Sequence, residues 1–236
     1  MRKQQGDGIL LEVCVDSVED AVTAAAGGAG RIELNAALEL DGLTPSHGLL
    51  AETRRRVHVQ LVAMARPRAG DFLYSAADVR VIQRDVDHLL EHGADGVAFG
   101  ILAPDRRIDT RRCRTIVRQI TARGGEAVFH RAFDVVIDPF DALEQLIDLG
   151  VRRVMTSGGR PDAASGSDVI AQLVERAAGR IEILPAGGVR PANARRLIER
   201  TGCDQLHTSL RDRTGRMNRH DLADLLRRIK DPPVQP

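Results

Sequence analysis

This chain of 236 residues contains very few lysines and has a net charge close to zero. Lys3 and Lys230 are its only lysines, and both lie near the termini. A Schiff-base mechanism needs a buried lysine amine, so this class of catalysis is excluded. The formal net charge is +1, which gives no sign of a nucleic-acid partner or an anionic membrane surface.

Long apolar runs and paired cysteines are also missing. The apolar run Ile9–Val15 is interrupted by Glu12 and is too short for a signal sequence or a membrane span. Cys14, Cys113 and Cys203 form an odd, scattered set without a CxxC pair, which is typical of reduced thiols in a cytoplasmic protein. The sequence contains no Walker A loop and no GxGxxG, HExxH or GxSxG motif.

What the chain does have is an eightfold alternation of short apolar segments and longer amphipathic ones. Strict alternation predicts parallel strands joined by crossover helices, and the length is close to the ~250 residues of an eightfold barrel. We therefore predict an α/β fold, a single-domain (β/α)₈ TIM-type barrel; an open doubly wound sheet is the alternative. The predicted strands are Ile9–Val15, Arg31–Asn35, His58–Ala65, Gly96–Ile101, Ala127–His130, Arg153–Thr156, Arg180–Pro185 and Gln205–Ser209.

Helix signals agree with this alternation. The patterns predict helices over Ser17–Ala26, Ala77–His92, Asp109–Arg123 and Asp138–Leu149, another opening at Pro191, and a last one over Arg219–Ile229. We expect the barrel to occupy residues 1–230. The proline-rich residues 231–236 are expected to form a disordered tail.

Ionisable residues interrupt several predicted strands on the face opposite their apolar residues. If the apolar face packs on the helices, Glu12, Glu33, His130 and His207 point into the barrel, with Asp134 shortly after the fifth strand. Such groups at separate strand ends favour an active site at the C-terminal mouth, with these five as candidate catalytic residues. The alternative is an ion-paired layer that only closes the barrel.

A second group of residues is suited to binding an anion. Arg66, Arg68 and Asp71 lie in the third βα loop, where two arginines around a proline can grip a carboxylate or phosphate; a solvated loop with an internal Arg–Asp pair is the alternative. Glycine-rich turns after the sixth and seventh strands can expose backbone N–H groups to an anion. The remaining anion-binding candidates are Arg131, Ser157, Gly158, Gly187 and Gly188.

Read together, several segments resemble the CutC family of copper homeostasis proteins. They are Leu11-Glu-Val-Cys-Val-Asp-Ser-Val-Glu-Asp-Ala21, Arg31-Ile-Glu-Leu34, Gly42-Leu-Thr-Pro-Ser46, Arg66-Pro-Arg68, Gly70-Asp-Phe-Leu-Tyr-Ser75, Phe129-His-Arg-Ala-Phe-Asp134, Thr156-Ser-Gly158 and His207. The segments follow one another from the first strand to the last. The resemblance therefore covers nearly the whole chain.

The resemblance implies a (β/α)₈ barrel in the cytoplasm, a homo-oligomer, and copper(I) bound by cysteines near the first two strands. Cys14 matches the first of these cysteines, whereas Asn35 stands at the second position. Copper(I) prefers thiolate and thioether ligands, and Met64, Met155 and His130 are the other candidate ligands. Two functions thus remain open: copper(I) binding, or an acid–base enzyme acting on a small anionic or phosphorylated substrate.

Overall fold

Eight strands alternate with eight helices in the computed structural model, which describes residues 8–212 and 214–230. The strands are β1 (Leu10–Val15), β2 (Arg31–Leu34), β3 (Gln60–Met64), β4 (Gly96–Phe99), β5 (Glu126–Phe129), β6 (Arg153–Thr156), β7 (Glu182–Pro185) and β8 (Gln205–Thr208). The helices are α1 (Val18–Ala26), α2 (His47–Arg56), α3 (Ala76–Glu91), α4 (Thr110–Ala122), α5 (Pro139–Leu149), α6 (Ser167–Ala177), α7 (Pro191–Thr201) and α8 (Arg219–Lys230). Two short 3₁₀ turns, Leu38–Leu40 and Arg131–Val135, lie in the βα loops.

Side-chain caps fix where the helices begin. Ser17, Ser46 and Ser75 each accept a hydrogen bond from the backbone N–H three residues further on, which satisfies a donor that the helix cannot pair. α5 and α7 end at Gly150 and Gly202, both in the left-handed conformation that favours glycine. Local sequence thus determines where the chain turns back towards the sheet.

The sheet is parallel throughout and wraps into a barrel. The hydrogen-bonded order is β7-β6-β5-β4-β3-β2-β1-β8, and β7 packs beside β8 to bring the two ends together. At this seam the Thr208 hydroxyl donates to the backbone oxygen of Val189 at 2.9 Å. The predicted (β/α)₈ barrel is confirmed, and the open doubly wound sheet does not form.

Apolar side chains divide into two clusters on the two sides of the sheet. The larger lies between the strands and the helices, where residues such as Val13, Ile32 and Leu34 are fully buried. The smaller fills the middle of the barrel with Val62, Met64, Ala98, Val128, Met155, Leu184 and Ala186. Burial of this apolar surface is the main favourable term that holds the fold together.

A ring of polar side chains closes the N-terminal end of the barrel. Arg31, which is 2% exposed, donates to Glu12, to Gln205 at 2.7 Å and to Gln60 at 3.4 Å. Arg153 pairs with Glu126 at 3.1 Å and with Glu182 at 2.8 Å. The ion-paired layer considered as an alternative for the interior carboxylates therefore exists, and Glu12 is part of it.

Element positions agree with the sequence predictions to within about two residues. The β6 prediction matches at both ends, whereas β3 begins at Gln60 rather than His58 and β7 at Glu182 rather than Arg180. α2 and α6 are additional helices. The predicted tail, residues 231–236, lies outside the described residues. No helix within the described ranges is long and apolar enough to cross a membrane.

Candidate functional site

A cavity of about 440 Å³ opens at the C-terminal mouth of the barrel. Parallel strands place their C-terminal ends at one edge, so side chains from β1, β2, β3, β6 and β8 reach the same space. Cys14, Glu33 and His207 form its floor on one side, with Met64 and Met155 also lining it. The apolar cluster in the middle of the barrel separates this cavity from the polar ring below.

Glu12 is in contact both with Arg31 of the polar ring and with His207 of the cavity lining. Its carboxylate, fully buried, pairs with Arg31 through one oxygen and lies 2.6 Å from Nδ1 of His207 through the other. Burial alone would raise the pKa of Glu12, but the charges of Arg31 and His207 outweigh it and hold this pKa below its usual value. Glu12 is therefore an anion that orients His207, with both oxygens already bonded.

Cys14, Glu33 and His207 form a compact group with metal-ligand chemistry. One ligand atom from each residue lies within 4.8 Å of the others, and all three residues are buried. Desolvation would lower the pKa of His207, yet the sulfur of Cys14 and the carboxylates of Glu12 and Glu33 raise it well above its usual value. His207 is therefore an imidazolium at neutral pH. For Glu33, desolvation dominates and raises the pKa.

Asn35 lies at the position where the resemblance implies a second cysteine. Its amide nitrogen donates to the Glu33 carboxylate at 3.0 Å, which orients that carboxylate towards the cavity. A Cβ on Gly42 would lie 2.3 Å from the Asn35 side-chain oxygen, so this loop closes over Asn35 only with glycine there. Asn35 thus positions Glu33, and it contributes no soft ligand.

His130 offers the cavity an unpaired donor. Its Nδ1 accepts the backbone N–H of Ala132 at 3.1 Å, which places the ring proton on Nε2, and Nε2 has no partner within residues 8–212 and 214–230. Burial, reinforced by the charge of Arg66, lowers the pKa of His130 to about 3. At neutral pH this imidazole can donate a hydrogen bond from Nε2, but it is not a charged acid.

Asp134 lies at the cavity wall in a cradle of donors. One carboxylate oxygen accepts hydrogen bonds from the Thr156 hydroxyl at 2.6 Å and the Ser157 N–H at 2.8 Å. The other accepts from the Ser157 hydroxyl at 2.9 Å and from Arg131 at 2.7 Å. The arrangement ties the turn Arg131–Val135 to the end of β6 and leaves little of the carboxylate free for proton transfer.

The arginines of the third βα loop lie in different places. Arg66 is buried at the cavity wall, and its terminal nitrogens donate to the backbone oxygens of residues 40, 41, 42 and 70. Arg68 and Asp71 lie outside the cavity and pair with each other at 2.9 Å. The structure therefore does not bring the two arginines together as a clamp, because the terminal nitrogens of Arg66 already donate to backbone oxygens of the surrounding loops.

Of the two glycine-rich turns, the one after β7 lines the cavity and the one after β6 does not. Gly187 and Gly188 line the cavity beside Arg131, both with positive φ. The guanidinium carbon of Arg131 lies 3.3 Å from where a Gly187 Cβ would be. Gly158 lies away from the cavity, against the backbone of Gly166. Ser157 reaches the site through its contacts with Asp134 and Arg131.

Two cationic residues of the mouth were not among the predicted site residues. Arg190 and Arg211 line the cavity, and each follows the end of a strand by a few residues. Arg211 pairs with Asp16 at 3.2 Å. Their position after β7 and β8 is the signal that could have identified them, since the last two loops of a barrel often bind phosphate.

The fold and the mouth together define a (β/α)₈ barrel with a buried thiol–imidazole–carboxylate group at its C-terminal end. The CutC family model matches residues 9–212. The chain is 48% identical over 199 residues to a CutC protein of Treponema denticola, covering 84% of this chain and 80% of that one. It is 46% identical over 206 residues to the copper homeostasis protein cutC homolog of Mus musculus, covering 87% and 75%.

A solved structure agrees with the sequence matches. The crystal structure of CutC from Streptococcus agalactiae superposes with a TM-score of 0.81 at 31% identity, covering 85% of this chain and 98% of that one. The chain belongs to the CutC family, as the sequence motifs predicted.

Proposed function

We propose that this chain is a cytoplasmic copper homeostasis protein that binds copper(I) at its barrel mouth. The observation that carries the proposal is the meeting of the Cys14 sulfur and the His207 imidazole at the cavity floor. These two groups come from neighbouring strands, in which residue 12 of β1 is paired with His207 of β8. Three free cysteines are compatible with a reducing compartment. The homo-oligomer that the resemblance implies stays a prediction.

The donor atoms at the floor fit copper(I) chemically. Thiolate and thioether sulfur are the soft ligands that this ion prefers, and imidazole is an accepted partner. Cys14 supplies the thiol and His207 the imidazole, while the cavity-lining Met64 and Met155 bring thioethers to the same space. Glu33 is a hard ligand, so its role is electrostatic, as a negative charge beside the cation.

Copper(I) has to compete with protons at this site. His207 is protonated in the metal-free chain because Cys14, Glu12 and Glu33 stabilise its charge. A metal can bind its Nε2 only after that proton leaves. Glu12 holds the opposite nitrogen, Nδ1, which fixes Nε2 as the atom that faces the metal.

Anaerobic copper(I) titration against a competing chelator tests the proposal. We expect stoichiometric binding by the native chain and by Cys203→Ser, a matched control at a buried thiol outside the cavity. We expect Cys14→Ser to bind at least tenfold more weakly. Equal affinity in all three proteins, or no binding by the native chain, would refute the copper(I) site.

The size and lining of the cavity favour a second candidate function, an enzyme acting on a small anionic substrate. A volume of about 440 Å³ is far larger than one ion needs, and lies within the range of ~300–1,000 Å³ usual for small-molecule sites. Four residues of its lining each carry a buried polar atom that has no partner among the described residues: Glu33 Oε1, Asn35 Oδ1, Arg66 Nε and His130 Nε2. Such atoms are costly unless a ligand pairs with them.

In this second function the described contacts assign different roles to the candidate residues. Glu12 and Asp134 are already bonded at both oxygens, so Glu33, whose pKa burial raises, is the group left to accept a proton. His207, an imidazolium, is its acid partner. Arg131 and Arg190 supply charge for the anion, and His130 donates a neutral hydrogen bond.

Thermal-shift screening of small carboxylates and phosphate esters tests the second function without metal. A ligand that stabilises the native chain should lose its effect in Arg190→Ala but keep it in Arg118→Ala, an arginine outside the cavity. Stabilisation that persists in Arg190→Ala would place the anion elsewhere. A ligand that requires Arg190 but not Cys14 would favour the enzyme over copper(I) binding.

A further inference from the structure

Three histidines meet on the outside of the barrel, away from the mouth. His47 is the first residue of α2, His88 lies in the last turn of α3, and His92 directly follows α3. Nδ1 of His47 lies 2.9 Å from Nε2 of His88. The three ring centroids are 4.2 to 4.8 Å apart.

Helix packing brings these residues together. His88 and His92 are four residues apart, so their side chains lie on the same face of the chain at the end of α3. α2 runs beside α3 in parallel: Thr44 hydrogen-bonds Asp85 just before His47, and Arg54 pairs with Asp95 further along. The three-histidine group is therefore built on two packed helices rather than on a mobile loop.

The spacing of the nitrogens suits a divalent cation. One nitrogen from each ring lies within 4.8 Å of the other two. Three imidazoles around zinc at ~2.0–2.1 Å would have nitrogens about 3.3 Å apart, which small side-chain rotations can reach from here. Two histidines four residues apart are a recurrent zinc-binding pair on helices, and here His88 lies on α3 and His92 is the residue that caps its C-terminal end.

The hydrogen bonds of His92 prepare it as a ligand. Its Nδ1 lies 2.8 Å from the backbone oxygen of His88, an atom that can only accept, so Nδ1 carries the proton. The lone pair is then on Nε2, free for a metal, and a ligating histidine usually donates its other ring N–H to a backbone oxygen or carboxylate in this way. In the hydrogen bond between His47 and His88 one of the two facing nitrogens carries a proton; to bind a cation, that ring moves its proton to its other nitrogen, so that both facing nitrogens can be ligands.

The exposure of the group also suits a metal. His47 is exposed, and His88 and His92 are half-buried. An ion can therefore reach the nitrogens from solvent, with a water as the fourth ligand.

We propose that His47, His88 and His92 form a surface site for a borderline divalent cation of the zinc class. Neutral imidazole suits Zn²⁺, Ni²⁺ and Cu²⁺, whereas Mg²⁺ and Ca²⁺ need oxygen ligands and copper(I) prefers sulfur. The site is separate from the cavity at the mouth. It requires neither Cys14 nor the function proposed for that cavity.

Zinc titration of the untagged chain against a competing chelator tests the site. We expect Cys14→Ser to retain one zinc equivalent, and both His88→Ala and His92→Ala in that background to weaken it at least tenfold. His220→Ala, which removes an exposed histidine elsewhere, should leave the affinity unchanged. The histidine substitutions are at exposed or half-buried positions, whereas Cys14 is buried, so circular dichroism checks that each variant is folded.

A spectroscopic measurement separates this site from nonspecific binding. Co²⁺ at three imidazoles and a water should give visible absorption of a four-coordinate nitrogen site, and His47→Ala should abolish it. Zinc affinity that is the same in His88→Ala as in its parent would overturn the proposal. So would a Co²⁺ spectrum that does not depend on His47.

Discussion

Replacement of Glu12 by glutamine tests how the interior charges support the mouth. The substitution keeps the shape of the side chain and removes one negative charge from a fully buried position. Arg31, 2% exposed, is then left with the neutral oxygens of Gln205 and Gln60. Removing one partner of a buried ion pair leaves an uncompensated charge and costs about 3–5 kcal/mol.

Urea unfolding followed by far-UV circular dichroism measures this loss, since the chain has no tryptophan and a single tyrosine. For a domain of this size the free energy of unfolding changes by about 3 kcal/mol per molar urea. We therefore expect the midpoint of Glu12→Gln to fall by about 1 to 1.7 M at pH 7. Glu52→Gln, at a surface carboxylate paired with Arg55, should leave the midpoint unchanged.

The pH dependence checks whether charge is the cause. Arg31 and His207 lower the pKa of Glu12 below its unfolded value of 4.5, so the stabilisation is fully present above that pH and is lost as the pH falls. The gap between the native chain and Glu12→Gln should thus be full at pH 7 and narrow below about pH 4.5. A midpoint equal to that of the native chain, or a gap independent of pH, would refute this reasoning.

Two further predictions concern the mouth. Copper(I) affinity should rise by about tenfold per pH unit near neutrality, because the His207 proton leaves on binding; chelator competition at pH 6 and 7 measures it, and a flat profile would contradict it. Gly100→Ala should cost about 1–3 kcal/mol, because the new Cβ would lie 2.5 Å from the His130 ring. Gly48→Ala, on the exposed side of α2, is its matched control in urea unfolding, since a Cβ there would meet nothing within 4 Å in the part of the chain that the structure describes. Equal midpoints for the two glycine variants would show that His130 moves aside freely.

Strand parity made much of the interior predictable from sequence. In a strand buried on both faces, alternate residues point inward, so Glu12, Glu33 and His207 could be assigned to the barrel interior without coordinates. Arg31 could not, because a charged residue at the first position of a strand is usually solvated. Its burial depends on Gln60 and Gln205, two residues far apart in the chain.

Loop and helix contacts were the least predictable part of the molecule. Arg66 has the residue type and position of an anion ligand, yet its donors bind backbone oxygens because the loop folds back over it. His47 and His88 are 41 residues apart and meet only because α2 and α3 pack in a particular register. Such contacts depend on tertiary packing, which local periodicity does not encode.

The apolar cluster in the middle of the barrel makes the cavity at the mouth a pocket that is open at one end only, rather than a channel through the barrel. Val62, Val128 and Leu184 fill the barrel below the cavity, and the polar ring seals the far end. Anything that binds at Cys14 must therefore leave by the opening through which it entered. A molecule that delivers a ligand there and one that removes it would have to approach the same face of the barrel.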